Sequence, residues 1–363
     1  MGFTCGLVGL PNAGKTTIFN ALTAAGARVE SYPFSTIETN VGVVPVPDER
    51  LDKLALLFPE KRKVPTTLEF LDIAGLVRGA HQGEGLGNQF LAEIRNVDAI
   101  VHVVRCFEDP NVAHIEGELD PERDIEIVEL ELLLKDLETL EGALEKLRRK
   151  AKADKEAAKE AELLAKLKEE VARGRPLREL AGELTPEEER LVRGLGLLTA
   201  KPTLYVANVG DEGENAYSEA VERLAVDRGG GFIAIRGELE MEIAETAKTP
   251  EEQEEFLREW GLAESGLTRL VQAGYRLLGL VTFFTTDGPE VRAWTVKRGT
   301  RAPQAGAKIH TDFERRFVQA EVVKLSDLLE RGSIQAVREA GLLQRVGEDY
   351  EVQDGDVIHF VVG

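Results

Sequence analysis

Gly9-Leu10-Pro11-Asn12-Ala13-Gly14-Lys15-Thr16 sets two glycines, a lysine and a hydroxyl at the spacing G-x-x-x-x-G-K-[ST]. That spacing suits one chemistry, the cradling of a phosphate chain. The glycines let the backbone curl until its N–H groups point inward at phosphate oxygens, and a helix starting here adds the partial positive charge of its N-terminus. Lys15 is expected to reach the β- and γ-phosphates of a nucleoside triphosphate, and the Thr16 hydroxyl to ligate Mg²⁺. Asn12, Ala13, Gly14 and Thr17 complete the expected cradle.

Leu68-Glu69-Phe70-Leu71-Asp72 reads as a strand ending in an acid, and Asp72-Ile73-Ala74-Gly75 makes a D-x-x-G. An Asp in this position holds a Mg²⁺-bound water, and the Gly75 amide meets the γ-phosphate. A threonine between the two motifs should complete the Mg²⁺ shell. Thr36 and Thr39 are both candidates, and Thr36 is preferred for the metal and catalytic role. The residue after Gly75 is Leu76, which neither titrates nor hydrogen-bonds through its side chain. Intrinsic hydrolysis should therefore be slow, or another group must act; His81 and His114 are the candidates for positioning the attacking water. Asn12 is also a candidate for helping to hold K⁺ beside the phosphates.

Pro202–Ala207 is a hydrophobic strand leading into Asn208-Val209-Gly210-Asp211. A guanine reader has Asn/Thr-Lys-x-Asp, whose carboxylate accepts from the base. Asn208 and Asp211 fit, whereas Val209 replaces the lysine. The loop expected to close the base pocket, Ile235-Arg236-Gly237-Glu238, lacks the usual Ser-Ala. An Asn side chain and backbone groups suffice to read adenine, so these residues leave both ATP and GTP open.

These groups need a parallel α/β sheet to hold them. Phe3–Leu10 is the strand before the phosphate loop, Thr17–Leu22 the helix after it, and Val97–Phe107 a further core strand. The interval from Asp72 to Asn208 is far longer than a minimal nucleotide-binding domain needs, and the surplus is Pro121–Thr199. Ile125, Val128, Leu132, Leu133, Leu137, Leu140, Leu144 and Leu147 recur at three- and four-residue steps, an amphipathic helix. Leu163, Leu164, Leu167 and Val171 resume the stripe, so two antiparallel helices should form a projecting coiled coil. Lys146, Arg148, Arg149, Lys150, Lys152, Lys155 and Lys159 lie towards its tip, either as a solvated, salt-bridged face or as a contact to RNA phosphate. After Leu280 short strand candidates (Thr282–Phe284, Val291–Val296, Phe317–Val323, Asp349–Val352, Val357–Val362) alternate with helix candidates Ser326–Arg331 and Ser333–Ala340, a compact α+β module. The expected domains are 1–120 with 200–278, an inserted 121–199, and 279–363.

The chain has 363 residues, 43% hydrophobic and 30% charged, with a formal net charge of −20. That charge opposes diffuse nucleic-acid affinity but not a local basic patch. No apolar run approaches the roughly 20 residues of a membrane helix. Cys5 and Cys106 sit in apolar strand-like runs and read as buried thiols of a reducing cytoplasm.

The assembled blocks resemble the YchF/Obg-like ATPase family: GLPNAGKTT (9–17), YPFSTIETNVG (32–42), DIAGLVRGA (72–80), GEGLGNQFL (83–91), HVVRCF (102–107), VRAWTVKRGTRAPQAGAKIHTDFERRF (291–317) and DGDVIHF (354–360). The resemblance covers essentially the whole chain. It implies a P-loop G domain of mostly parallel sheet with flanking helices, an inserted coiled coil and a C-terminal TGS module, a ubiquitin-like β-grasp. It further implies an ATPase that prefers ATP over GTP, linked to ribosomes, translation control and stress responses, without a membrane and without DNA sequence specificity. The family usually carries Glu where this chain has Asp211, and small residues near Arg236-Gly237-Glu238. Asp211 brings this chain nearer the guanine-reading pattern.

Overall fold

The computed structural model describes residues 2–25, 28–31, 40–76, 79, 86–150 and 154–363. Thr36, Thr39, His81 and Lys152 lie outside the described residues.

The strands in chain order are β1 (Thr4–Val8), β2 (Arg28–Ser31), β3 (Asn40–Pro45), β4 (Arg62–Val64), β5 (Thr67–Asp72), β6 (Ala99–Cys106), β7 (Thr203–Val209), β8 (Gly231–Ile235), β9 (Leu280–Thr285), β10 (Glu290–Lys297), β11 (Phe317–Lys324), β12 (Gln344–Val346) and β13 (Asp356–Val362). Helices used below are α1 (Lys15–Ala24), α2 (Glu49–Leu57), α3 (Leu86–Asn96), α4 (Pro121–Lys150), α5 (Lys155–Ala172), α6 (Pro186–Leu195), α7 (Ala216–Asp227) and α8 (Gly237–Thr246). Met1–Val44 with Leu68–Leu277 form one compact unit, and Pro45–Thr67 with Leu278–Gly363 a second.

The first unit holds a seven-stranded sheet in the order β2-β3-β5-β1-β6-β7-β8. β1 runs parallel to β5 and β6, and β7 runs parallel to β6 and β8. Every residue of β6 and β7 is buried, as expected of central parallel strands covered on both faces. Helix-bearing connections between parallel strands bring the strand ends and the loops after them to one edge. The phosphate loop follows such an end, and Asp72 and Asn208 lie in the last residues of β5 and β7.

α4 and α5 form the expected helical pair. Leu133, Leu140 and Leu144 of α4 pack with Leu164, Leu167 and Val171 of α5, and Lys168 pairs with Glu141 across them at 2.8 Å. A third helix, α6, was not anticipated. It contributes Val192 to the same core, and a Thr185–Glu188 capping box starts it. At ~1.5 Å per residue the 30 residues of α4 extend about 45 Å.

The second unit is a six-stranded mixed sheet, β12-β11-β13-β9-β10-β4. β9 and β10 form an antiparallel hairpin, and β13 lies parallel to β9. Two expectations are corrected here. Residues 45–67, expected in the first domain, belong to the second: β4 pairs with β10, and Leu51 and Leu54 of α2 pack with Phe284, Val291 and Leu328. The apolar stripe of α2 needs a sheet face, and it finds this one. Asp349–Val352 is not a strand; it makes one isolated bridge, Glu351 to Arg301. β12 instead pairs with β11.

Candidate functional site

β1 ends at Val8, and the chain turns through Gly9–Gly14 into α1. Asn12 (φ 62°) and Gly14 (φ 92°) are both left-handed. A Cβ on Gly14 would stand 2.0 Å from Asn208 Nδ2, so this position requires glycine twice over. Gly14 is the N-cap of α1 and offers no side chain to the first turn, which leaves N–H groups there for an outside acceptor.

Lys15 is 6% exposed. Its Nζ donates to the carbonyls of Gly9 at 3.0 Å and Leu10 at 2.8 Å. Burial lowers its pKa to about 8, against the opposing pull of Asp72. Thr16 Oγ1 donates to Asp72 Oδ2 at 3.1 Å. Burial raises the Asp72 pKa, while the Thr16 hydrogen bond and the Lys15 charge oppose the rise. A cation, a hydroxyl and a carboxylate thus meet at one end of β1 and β5.

Thr16 and Asp72 are hard oxygen donors at a spacing that suits Mg²⁺. This ion keeps several waters and binds through one or two protein oxygens plus substrate phosphates. Among the described residues no group of three or more His, Cys, Asp or Glu gathers to hold a metal. The pair therefore fits an ion delivered with a nucleotide.

Gly75 lies against the phosphate loop: a Cβ there would meet Pro11 at 3.0 Å. The next residue, Leu76, donates its N–H to Gly9 O at 3.0 Å. Its side chain is 1% exposed, in the core with Leu10, Ile73 and Val128. Leu76 is thus an anchor whose side chain is packed into the core.

Asn208, expected at the base, is held by two backbone groups. Its Nδ2 donates to Ala13 O and its Oδ1 accepts from Gly237 N, both at 3.0 Å. It ties the phosphate loop to the start of α8. Val209, the next residue of the expected base-reading loop, has a side chain 5% exposed that packs with Val104, Cys106 and Tyr205, which leaves its backbone for any contact with a base. Asp211 is exposed at the turn after β7. Arg236 lies over that turn, since a Cβ on Gly213 would stand 2.6 Å from its Nη2.

His114 is engaged at both ring nitrogens. Nε2 lies 2.8 Å from Asp124 Oδ2, and Nδ1 accepts from Glu116 N at 3.1 Å, which assigns the Nε2–H tautomer. The neighbouring carbonyl, Ala113 O, accepts from Asn12 Nδ2 at 3.0 Å. The loop bearing His114 is thereby pinned to the phosphate loop. Arg105 organises that loop and was missed in the sequence. It is 5% exposed; its guanidinium donates to the carbonyls of Phe107 and Val112 at 3.1 and 2.9 Å and lies over the Phe107 ring. A single charge at the end of an apolar strand was the available signal.

A parallel sheet whose first strand opens into a left-handed glycine loop, with lysine, threonine and aspartate converging on it, defines a P-loop nucleotide-binding protein of the GTPase type. A family model described as "50S ribosome-binding GTPase" matches residues 4–171, and a YchF C-terminal model described as "Protein of unknown function (DUF933)" matches 280–362. Curated relatives named "Ribosome-binding ATPase YchF" include one from Escherichia coli O157:H7, 48% identical over 364 residues, and one from Bacillus subtilis, 50% identical over 366 residues. Each alignment covers 99% of this chain and 99% of the relative. The solved structure of the Schizosaccharomyces pombe YchF GTPase matches with a TM-score of 0.87 at 36% identity, covering 99% of this chain and 98% of that one. The chain belongs to the YchF family.

Proposed function

We propose that this chain is a Mg²⁺-dependent nucleoside triphosphatase that hydrolyses ATP, and GTP as well, slowly, and works as a switch on the ribosome in the cytoplasm. The observation that carries this reading is the convergence of Lys15, Thr16 and Asp72 on the loop at the end of β1. In this reading the loop amides and Lys15 bind the β- and γ-phosphates, Thr16 and Asp72 hold Mg²⁺ with Thr36, and the Gly75 amide senses the γ-phosphate. Mg²⁺, when bound, neutralises charge developing on the phosphate oxygens.

Leu76 is turned into the core, so the attacking water needs another group. His114 takes that role, oriented by Asp124, once Nδ1 is released from Glu116 N–H; His81 is the second candidate. Catalytic hydrogen bonds often tighten only with substrate in place. Asn12 helps hold K⁺ beside the phosphates, and turnover should rise when K⁺ replaces Na⁺ in matched buffers. Identical rates would remove that role.

The name of the YchF relatives, ribosome-binding ATPase, supports ATP and the ribosome. The arm formed by α4 and α5, with the basic face of the second unit, is the proposed route to ribosomal RNA; the family resemblance adds translation control and stress response. A GTP-specific enzyme is the second reading, favoured by the exposed Asp211. A nucleotide-gated scaffold with incidental hydrolysis is the third, favoured by the buried Leu76.

Lys15→Ala should lose triphosphate binding at least tenfold and lose hydrolysis, with the fold intact by circular dichroism. His114→Ala should keep the dissociation constant within about twofold and lose turnover. ATP should bind at least as tightly as GTP. Wild-type hydrolysis in a folded Lys15→Ala protein would reject the site. A tenfold preference for GTP would establish the second reading, and single-turnover rates unchanged by ribosomes would favour the third.

A further inference from the structure

Glu129 and Glu131, two of the buried carboxylates of α4, sit on different sides of the helix. Glu129 points to the sheet, where it accepts from Arg178 Nη2 and Tyr205 Oη. Glu131, 3% exposed, points the other way and accepts from the peptide N–H of Gly79 at 2.6 Å. Gly79 lies four residues beyond Gly75, whose amide is the candidate γ-phosphate contact. Between them Leu76 is fixed twice, by its N–H to Gly9 O and by its side chain packed with Ile127, Val128 and Leu132 of α4. Leu76 and Gly79 thus meet α4 at its apolar face and at the Glu131 carboxylate, and α4 continues without a break into the arm.

We propose that Glu131 is the positioning residue that couples the loop after Asp72-Ile73-Ala74-Gly75 to the helical arm. A peptide N–H shifted by γ-phosphate contact at Gly75 has to keep or lose its bond to this carboxylate. A buried carboxylate that loses one of its donors is less well satisfied, which favours a shift of the helix that restores the bond. Because Glu131 and the arm share one helix, that choice is felt along α4. The inference rests on the proposed triphosphate switch and names the residue through which its state reaches the arm.

The test compares the full-length wild-type protein with Glu131→Ala, Glu131→Gln and the exposed control Glu138→Gln. Amide hydrogen exchange is followed in the phosphate loop and in 133–172, with and without a non-hydrolysable ATP analogue and Mg²⁺. In the wild type and the control, the analogue should change exchange in both regions, by about fivefold or more in the arm. In Glu131→Ala the phosphate-loop change should persist, with analogue affinity within about twofold, while the arm's response falls to within about twofold of none. Glu131→Gln keeps an oxygen for the Gly79 N–H and should retain part of the response. A full arm response in Glu131→Ala would overturn the proposal, as would a wild-type arm indifferent to bound analogue. Absence of analogue binding to the wild type would overturn the triphosphate reading itself and this inference with it. Ribosome co-sedimentation supplies a second readout: nucleotide dependence lost in Glu131→Ala, with binding in the nucleotide-free state retained, is the result expected.

Discussion

Lys15 is a cation held against its preference. Burial brings its pKa to about 8, and its ammonium donates to two backbone carbonyls. Triphosphate oxygens favour the charged ammonium, so binding should raise that pKa and take up protons near pH 8. The sign follows: the protonated form binds better, so affinity is full below pH 8 and declines as pH rises through 8. Calorimetry in buffers of different ionisation enthalpy should show fractional proton uptake between about pH 7.5 and 9, absent in any residual binding by Lys15→Ala. The phosphate residues were legible because their backbone demands are strict: only certain types tolerate the turns at Asn12 and Gly14. Asn208 was legible as a site residue but not as a tie, because its partners, Ala13 O and Gly237 N, are backbone atoms that leave no mark on composition. The inward facing of the Val209 side chain was not legible, because a loop motif at a strand end leaves the facing of its second residue to the sheet.

At the scale of elements, the helical pair was legible from its leucine spacing, whereas α6 and the tie at the base of α4 were not. That tie is ionic and fully buried. Glu129 and Arg178 have side chains 5% and 4% exposed, and Glu129 Oε2 has no hydrogen-bond partner. Removing one member of such a pair leaves an uncompensated charge and typically costs about 3–5 kcal/mol. Arg178→Met should therefore destabilise the protein by roughly that amount in urea unfolding, and adding Glu129→Gln should recover much of the loss. If the double variant is no more stable than Arg178→Met, the Glu129 charge is not the source of the penalty. His102 lies beside this cluster, its ring 5.5 Å from that of Tyr205. Burial lowers its pKa to about 4, with Glu129 opposing and Arg178 reinforcing, so it stays neutral here and adds no second cation.

For the whole molecule, the net charge of −20 makes any contact with ribosomal RNA local. Lys146, Arg148, Arg149, Lys150, Lys155 and Lys159 are exposed along the arm, and Lys297, Arg298, Lys308, Arg315 and Arg316 are exposed on the second unit. Ribosome co-sedimentation should weaken with salt by a log–log slope of several units. Reversing Lys146, Arg148, Arg149 and Lys155 to Glu should flatten that slope and leave ATP affinity unchanged. Unchanged binding would move the interface off the arm.

The second unit takes its residues from two distant stretches, Pro45–Thr67 and Leu278–Gly363. During synthesis the chain meets them in that order, with the rest of the first unit between. At about 5–20 residues per second, α2 and β4 emerge roughly ten to fifty seconds before the strands they pack against. Leu51 and Leu54, buried in the finished protein, have no sheet to cover them in that interval. β3 and β5 are neighbours in the first sheet, so closing that sheet pinches the waiting segment at its base and holds its ends together. The nascent chain thus carries one stretch of its last-made unit tethered at both ends, and the apolar face of that stretch stays uncovered until 278–363 has been made.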